Sequence, residues 1–337
     1  MKEIIKKIIY TVGSTKLAKN FVSPWRGRAA ILCYHRVLPD NNLMNKNPQQ
    51  NQIISESLFD EQMSYLSSNH IVVSMDEMIE HLKSKSDKFV VALTFDDGYK
   101  DNLTNALPIL EKYNLPATIY ISTRFPEGDC EMWWYELWEL ISLNNNIIIN
   151  WGGSIKKMKT INYSQKIIAY NIIGNLFVEE NYIKQTELMS KIRENNSPIS
   201  YDSLCLKWEE IIKLSNNPLI TIGSHAHTHC SLRHLSKEDV FWELSYSKKI
   251  IEDKINKKVK HFAFPFGTNN EVSKRDQLIA QQCGYRTAAI TIPKVLYDNN
   301  LLFSLPRLSV RNTNSFVINA KLYGLDNFIY SFKKSDL

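Results

Sequence analysis

Two short segments of the chain carry residue types suited to metal chemistry. Residues 94–98 read Thr-Phe-Asp-Asp-Gly, with adjacent carboxylates after an apolar run, and residues 223–229 read Gly-Ser-His-Ala-His-Thr-His. One carboxylate and two imidazoles make an open divalent-metal site in which water completes the coordination shell. A second carboxylate can take the proton of that water as it attacks a carbonyl. The two segments together predict a metal-dependent hydrolase.

The two aspartates are expected to have different roles. Successive side chains of an extended strand point to opposite sides, so Asp96 and Asp97 are not expected to ligate the same ion. One would be a ligand and the other a base. An Asp-Asp-Gly sequence alone is also a common turn signal, and it indicates a site only in combination with the histidine segment.

The histidine segment allows two conformations. In a strand, His225, His227 and His229 share one face and form a three-histidine site, whereas in a helical turn only His225 and His229 align. Gly223 breaks the preceding strand and Ser224 is a favourable N-cap, which favours the turn. His227 is then expected to point away from the ion.

The elements that must position these residues alternate along the chain. Repeated β-then-α units imply parallel strands, and roughly seven units predict an α/β fold that closes into a barrel. In such barrels the catalytic residues lie just after the C-terminal ends of the strands. The aspartates, His225, His35 and residues 265–267 are all at such positions. Strands are predicted at residues 29–34, 71–73, 89–95, 117–121, 219–222, 261–264 and 287–291, and helices at residues 58–66, 75–82, 102–113, 237–255 and 276–283.

The alternation stops between about residues 127 and 215, which predicts a mostly helical insertion. Helical periodicity is visible at Gln165–Phe177 and Glu187–Glu194. The Trp-rich opening of this segment includes Trp133 and Trp134, whose rings could stack on sugars, although aromatic core residues are more common. Trp134 is kept as a candidate substrate contact.

Composition excludes several classes of protein. The 337 residues are 44% hydrophobic and 23% charged, which is typical of a soluble globular protein. A net charge of +6 without a concentrated basic patch does not predict a nucleic-acid partner. Five cysteines without a Cys-x-x-Cys pair predict reduced thiols, and Cys230, next to His229, is expected to be a packing residue rather than a fourth ligand.

The amino-terminal segment combines an apolar helical stripe with lysines on the opposite face. Residues 1–28 are therefore predicted to form a basic amphipathic helix and linker ahead of a barrel over residues 29–337. The helix can pack on the rest of the chain, or residues 1–20 can contact an anionic membrane peripherally. Its lysines interrupt any secretory signal, and no apolar run approaches ~20 residues, so a cytoplasmic location is expected, with contact to the inner membrane face as a hypothesis.

Three segments in this order resemble the first motifs of the polysaccharide deacetylase family, the NodB-homology domain: residues 94–98, Ser224–His229 and Phe264–Gly267. The resemblance extends from about residue 29 to 311, with the insertion between the first two motifs. It implies a distorted (β/α)7 barrel that removes N- or O-acetyl groups from sugars, usually N-acetylhexosamines. It also implies a divalent metal, with zinc expected first and cobalt, nickel or manganese as alternatives.

The resemblance also implies a role for each matching residue. Asp96 would be the general base, and a backbone N–H of the third motif, that of Phe266, would help to hold an oxyanion. The metal ligands would be Asp97, His225 and His229, and the acetyl pocket would be lined by Pro265, Phe266 and Gly267.

The chain departs from the family pattern in three places. An arginine near Ala263 is absent, the later Asp-and-Trp motif is not recognisable, and no histidine follows His261. Arg307 or Arg311 is expected to replace the missing arginine, and Arg307 is also predicted to contact substrate. His35 is the candidate acid for an amine leaving group, which needs a proton.

These observations predict a metal-dependent carbohydrate deacetylase. Its substrate would be an acetylated glycan or a lipid- or nucleotide-linked sugar precursor. Two alternatives remain at this point: a catalytically impaired carbohydrate-binding relative, and a hydrolase of non-sugar linear or cyclic amides on the same barrel.

Overall fold

The computed structural model describes residues 25–42, 47–84, 86–129, 131–193, 197–298 and 300–333. The predicted helix and membrane contact at residues 1–20 lie outside these ranges. Within them, the helices are all too short or too polar to cross a bilayer.

Twelve strands are found in the described residues: β1 (Ala29–Tyr34), β2 (Arg36–Leu38), β3 (Ile53–Ser55), β4 (Ile71–Val72), β5 (Val90–Phe95), β6 (Ala117–Ile121), β7 (Asn146–Trp151), β8 (Ser154–Lys159), β9 (Ile220–Ser224), β10 (His261–Ala263), β11 (Thr287–Ala289) and β12 (Leu308–Ser309).

The α-helices of the same residues are α1 (Glu56–Asn69), α2 (Met75–Lys83), α3 (Leu107–Tyr113), α4 (Trp133–Leu143), α5 (Tyr163–Glu179), α6 (Tyr182–Arg193), α7 (Trp208–Ser215), α8 (Lys237–Ile255), α9 (Lys274–Gln282), α10 (Ser315–Leu322) and α11 (Leu325–Lys333).

The main sheet is parallel and curls on itself. Its strand order is β11-β10-β9-β6-β5-β1-β12, with β4 paired to the start of β5. Leu305, just before β12, pairs with Ala289 of β11, and Leu308 of β12 pairs with Leu32 of β1, so the segment that enters β12 joins the two edges. The predicted α/β fold, a distorted (β/α)7 barrel with a mostly helical insertion, is confirmed.

Burial on both faces explains why the central strands are continuous apolar runs. Every residue of β1, β5 and β6 is buried, as expected for a parallel sheet covered by helices on one face and closed on itself on the other. The register aligns the carboxyl ends of these strands: Tyr34 pairs with Phe95, and Phe95 pairs with Ile119. The residues that follow the strands therefore meet on one rim.

The chain between β6 and β9 forms a second hydrophobic core of its own. Helices α4, α5 and α6 pack around it, and Ile147 and Ile149 of the β7–β8 hairpin contribute to it. The sequence prediction missed this hairpin. Gly152 and Gly153 form its turn with φ of 57° and 75°, the left-handed pair that a two-residue hairpin turn requires.

Two predicted elements differ in detail. The helix predicted at residues 102–113 begins with a π-helical turn, Asn102–Ala106, because Pro108 has no N–H to continue the regular ladder. Strand β9 continues through Ser224 instead of ending at Ile222. Gly223 permits this, since a Cβ there would lie 2.5 Å from the ring of Tyr120.

A charged cluster ties α2 to the amino-terminal ends of β10 and β11. The carboxylate of Asp76 accepts a hydrogen bond of 2.6 Å from Lys260 and another from Arg286, and lies 3.5 Å from Nε2 of His261. Hydrogen bonding from His261 and Lys260 outweighs partial burial and holds the pKa of Asp76 well below its usual range.

We expect this carboxylate to stabilise the protein in a pH-dependent way. Because the pKa of Asp76 is lower in the folded state, its contribution is present in full above the unfolded pKa of about 3.9, and it is lost progressively as the pH falls from there through the lower folded pKa. Urea unfolding of Asp76→Asn should show a lower free energy of unfolding than wild type at pH 7. The difference should shrink at pH 3.

Glu209→Gln, at an exposed position of α7, is the control and should match wild type at both pH values. A difference for Asp76→Asn that stays constant from pH 7 to pH 3 would contradict the assignment.

Candidate active site

The aspartate pair sits where β5 reaches the rim. The amide of Asp96 donates to the carbonyl of Tyr34 over 3.0 Å, which continues the β1–β5 ladder by one step. Asp97 then turns the chain with a left-handed φ of 73°. Both side chains are buried, with exposures of 2% and 3%.

The histidine segment is an irregular loop, so the predicted helical turn is wrong. Ala226 and His229 are left-handed, with φ of 64° and 59°. The loop bonds to neighbouring chain instead of to itself: the amide of His225 donates to Ile121, and the carbonyl of Ala226 accepts from Thr123. These bonds to the end of β6 and to the segment after it replace the intrahelical bonds that a turn would need.

The loop nevertheless brings His225 and His229 to Asp97. Nε2 of His229 lies 3.1 Å and Nε2 of His225 lies 3.4 Å from Oδ1 of Asp97. These three residues form one of the groups of potential ligands within 4.8 Å of one another. Nδ1 of His225 donates to the carbonyl of Ala263 over 2.7 Å, which leaves the lone pair of a neutral ring on Nε2.

This donor set fits a divalent metal ion. Oδ1 of Asp97 is buried and makes no hydrogen bond of acceptable geometry with the described residues, although two imidazole nitrogens lie beside it. Ligand atoms at the corners of a tetrahedron with bonds of about 2.0–2.1 Å lie roughly 3.3 Å apart, close to the separations found. Two imidazole nitrogens and one carboxylate oxygen suit zinc and the neighbouring transition metals.

The electrostatics of the three groups are consistent with this fit. Burial raises the pKa of Asp97, but the adjacent histidines outweigh it and hold that pKa well below the usual range. Burial lowers the pKa of His229, which keeps the ring neutral. For His225, the carboxylates of Asp96 and Asp97 outweigh burial and raise the pKa.

His227 points away from this group, as the sequence analysis expected. Its Nδ1 lies 2.8 Å from the hydroxyl of Thr123, and its ring meets Trp242 and Tyr246 edge-on. Cys230 is fully buried in the main hydrophobic core.

Arg307 binds Asp96 from the side away from the cavity. Its Nη1 and Nη2 donate to the two carboxylate oxygens over 2.6 and 2.7 Å, in a bidentate geometry. Burial of Asp96 raises its pKa, but Arg307 and His225 outweigh burial and lower that pKa to about 2. Because Arg307 is fully buried and does not line the cavity, its predicted contact with substrate is wrong, and its guanidinium positions Asp96 instead.

A cavity of about 380 Å³ opens above these residues. That volume lies within the range of small-molecule sites. The described residues that line it are Cys33, His35, Pro48, Gln49, Asn51, Gln52, Asp96, Asp97, Trp133, Trp134, His225, His229, Phe266, Thr291, Ser309, Val310 and Arg311.

His35 lies at the rim beside Asp96. It follows β1 directly, its side chain is 17% exposed, and its Nε2 is 4.0 Å from Oδ2 of Asp96. The thiol of Cys33 lies 3.5 Å from the same oxygen. Burial raises the pKa of Cys33, so it remains a thiol.

The third motif forms a tight loop that exposes one ring to the cavity. Phe266 lines the cavity, whereas Pro265 and Gly267 are buried beneath it and do not. The amide and hydroxyl of Thr291 donate to the carbonyls of Gly267 and Phe266 over 2.8 and 2.7 Å. Gly267 has φ of 69°, and a Cβ there would lie 3.0 Å from Thr291, so this loop requires glycine.

The insertion supplies an aromatic wall to the site. The ring of Trp134 lies 5.0 Å and that of Phe266 5.1 Å from the ring of His229. Trp133 also borders the cavity, but it stacks on Phe177 at 4.7 Å in the core of the insertion. Trp134 therefore contacts both the predicted ligand and the cavity.

Sequence reasoning missed part of the lining. The 3-10 segment Pro48–Gln52 and the residues after β12 up to Arg311 border the cavity. Arg311 is predicted from the sequence only as an alternative partner of Asp96, whereas it is exposed at the rim. The second group lies at the end of β12, a two-residue strand that the sequence analysis does not predict; with that strand known, its residues are expected on the rim beside those after β5.

Comparison with known proteins gives the same family as the sequence motifs. The family model for polysaccharide deacetylases matches residues 83–288, more than half of the chain. A putative polysaccharide deacetylase of Bacillus subtilis is 34% identical over 95 residues, which are 27% of this chain and 30% of that protein. A poly-beta-1,6-N-acetyl-D-glucosamine N-deacetylase of Staphylococcus aureus is 29% identical over 174 residues, 42% of this chain and 60% of that protein. The match thus spans less than two thirds of either relative.

A solved structure shares the fold. The Streptococcus pyogenes deacetylase in complex with acetate aligns with a TM-score of 0.59 and 18% identity, covering 88% of this chain and 98% of that one.

The Asp96–Arg307 pair generates a prediction about stability. Removing one partner of a buried pair leaves an uncompensated charge, so Arg307→Met should lower the free energy of unfolding by about 3–5 kcal/mol. Asp96→Asn combined with Arg307→Met should lose less than the two single variants added together, with a coupling above about 1 kcal/mol.

Urea unfolding measures all three variants, and Arg311→Met at the exposed rim is the control, with an expected change within about 0.5 kcal/mol. Strict additivity of the two single losses would show that the pair is not energetically coupled.

Proposed function

The chain belongs to the polysaccharide deacetylase family, and on that premise we propose that it is a metal-dependent hydrolase that removes acetyl groups from an acetylated glycan. One observation carries the proposal. Asp97, His225 and His229 converge on one point of an open cavity, and Asp96 is fixed beside them by Arg307.

The three converging residues would hold a divalent cation, with zinc as the first candidate and cobalt, nickel or manganese as alternatives. When bound, such an ion polarises the acetyl carbonyl and activates a water molecule. Asp97 is suited to be the ligand because its Oδ1 is buried without a hydrogen-bond donor among the described residues. Nδ1 of His225 is engaged by Ala263, which orients its free nitrogen toward the same point.

Asp96 would be the proton acceptor. The guanidinium of Arg307 occupies one lone pair of each carboxylate oxygen, and the Cys33 thiol lies beside Oδ2, so the second lone pair of Oδ1 is the one available toward the cavity. With a pKa of about 2, Asp96 is ionised throughout the neutral range. The rigid, buried partner fixes the position of the carboxylate, although it lowers its basicity.

The third-motif loop would bind the acetyl group. The amide N–H of Phe266 makes no hydrogen bond to the described residues, while Thr291 and Gly267 fix the loop on both sides of it. A free N–H on a rigid loop can stabilise an oxyanion without reorganisation. The rings of Phe266 and Trp134 offer an apolar surface for the methyl group.

His35 would protonate the leaving group. It lines the cavity, it is the partly exposed imidazole on the rim, and it lies on the Asp96 side of the site. An amine leaving group requires such a proton donor when the substrate is an amide.

The substrate class follows from the family and from the cavity. The Staphylococcus aureus relative bears the name of a poly-N-acetylglucosamine deacetylase, and the Streptococcus pyogenes structure holds acetate. An N-acetylhexosamine unit in a glycan, or in a lipid- or nucleotide-linked precursor, is the corresponding substrate for this chain. Arg311 at the rim could meet a phosphate of such a precursor.

Acetate release from acetylated oligosaccharides tests the proposed activity. We expect turnover by the wild type, and a loss of at least about 100-fold in kcat for Asp96→Asn, because general-base catalysis contributes that much. His35→Gln should also lower kcat, and unchanged turnover would remove His35 from the mechanism. Asp87→Asn, at an exposed position away from the cavity, is the matched control.

The two alternatives give other results in the same assay. A carbohydrate-binding relative would bind the oligosaccharides without releasing acetate. A hydrolase of non-sugar amides would turn over small amides and leave acetylated sugars intact. Either result would refute the deacetylase proposal.

Metal binding is tested independently of activity. Calorimetric titration of metal-free protein with Zn²⁺ should show one ion per chain and a rise in Tm, since a ligand that binds the folded state stabilises it. Asp97→Asn and His229→Gln should each weaken Kd by at least about 100-fold, because even the loss of an outer partner of a ligand costs 10–100-fold. His227→Gln should bind like wild type, and equal Kd values for all variants would exclude this site.

A further inference from the structure

The insertion carries an unusual concentration of exposed apolar side chains. In the described part of the chain sixteen large apolar side chains are exposed, and seven of them lie between residues 143 and 172. Several project far into solvent: Leu143 is 81% exposed, Ile155 63% and Ile161 62%. Scattered apolar residues are ordinary on a protein surface, but a cluster marks an interaction site.

The β7–β8 hairpin presents part of this cluster on one face. In the antiparallel register Ile148 pairs with Lys157, Asn146 pairs with Lys159, and Asn150 pairs with Ile155. Because side chains alternate along a strand, these residues share the outer face, while Ile147 and Ile149 point into the core of the insertion. The outer face thus carries two isoleucines, two lysines and two asparagines, without an acidic side chain.

Hydrogen bonds join the base of the hairpin to the neighbouring helices. The amide of Thr160 donates to Asn145 over 2.8 Å, and Nζ of Lys166 on α5 donates to the carbonyl of Ser142 over 2.5 Å. Leu143 at the end of α4 and Ile161 before α5 adjoin these bonds. We call the surface formed by Leu143, Ile148, Ile155, Lys157, Lys159 and Ile161 the hairpin patch.

The charge of this region has one sign. Residues 140–178 contain four lysines and no aspartate, glutamate or arginine. Glu180, outside this run, accepts a hydrogen bond from Trp151, whose side chain lies on the opposite face of β7 from Ile148. Apolar side chains beside lysines match the two parts of an anionic bilayer surface, its hydrocarbon boundary and its negative headgroups.

We propose that the hairpin patch docks the protein on an anionic lipid membrane, with Ile148, Ile155 and their neighbours in the headgroup boundary and Lys157 and Lys159 against lipid phosphates. A second copy of the chain fits less well, because a two-fold contact through this patch would bring lysines against lysines. A glycan fits less well because the projecting side chains are isoleucine and leucine, whereas sugars stack on aromatic rings. This surface is separate from the cavity and does not depend on the proposed function.

Vesicle co-sedimentation of the full chain tests the proposal. We expect binding to phosphatidylcholine–phosphatidylglycerol vesicles and little binding to phosphatidylcholine alone. Ile148→Ser with Ile155→Ser should weaken partitioning by at least about tenfold, and Lys157→Gln with Lys159→Gln by a similar factor that disappears at high salt.

Matched controls carry the same changes elsewhere. Leu278→Ser on α9 removes an equally exposed apolar residue, and Lys213→Gln with Lys249→Gln removes two exposed lysines of α7 and α8. These variants should bind like wild type. Far-ultraviolet circular dichroism and the thermal midpoint verify that each patch variant is folded.

Lys6→Gln with Lys7→Gln in the full chain measures how much the basic amino-terminal segment contributes to vesicle binding, separately from the patch. Loss of binding in the patch variants, with or without these changes, supports the proposal. Binding that survives both patch variants, or that depends on Lys6 and Lys7 alone, overturns it. A concentration-dependent dimer that Ile148→Ser with Ile155→Ser abolishes, without vesicle binding by the wild type, assigns the patch to a second copy and also overturns it.

Discussion

The site depends on one electrostatic requirement. Asp96 and Asp97 are adjacent and buried, and neither carboxylate can ionise there without a cation beside it. For Asp96 that cation is Arg307, which makes two short hydrogen bonds to it. Arg307 arrives just before β12, the strand whose entry segment joins the edges of the sheet. The residue that fixes the proposed base therefore lies on the segment that joins the two edges of the sheet.

The second carboxylate has no such residue. Of the described residues that line the cavity, Arg311 is the one with a permanent positive charge, and it lies exposed at the rim, away from the buried Asp97. Two imidazole nitrogens face Asp97 instead, and at least one, on His225, is held with its lone pair toward the carboxylate. This arrangement fits a bound metal ion as the cation beside Asp97. In the proposed mechanism, the base is the aspartate that already has a guanidinium partner, and the ligand is the one that has none.

The sequence predicted all strands of the main sheet except β12, because their signal is local. Buried runs such as Phe89–Phe95 and residues 117–121 lie within one or two residues of the observed strands, and the three motifs were sufficient to recognise the family. The conformation of the histidine loop was not predictable in this way, because its hydrogen bonds go to distant residues: Ile121 at the end of β6, Thr123 after it, and Glu243 of α8. The partner of Asp96 was narrowed to two arginines, and choosing between them required knowing which one is buried behind the carboxylate and which one reaches solvent.

Helix α4 connects the cavity with the hairpin patch. Its first turn places Trp134 against His229, and its last residue, Leu143, belongs to the hairpin patch. Nine residues of helix span about 14 Å, so a membrane at the patch would lie only a short distance from the cavity. A sugar linked to a lipid that remains in the bilayer could then reach the site without leaving the membrane surface. Among the proposed substrates, docking through the patch therefore favours a lipid-linked glycan over a freely diffusing nucleotide sugar, and the exposed Arg311 is suited to meet the phosphate of such a linkage.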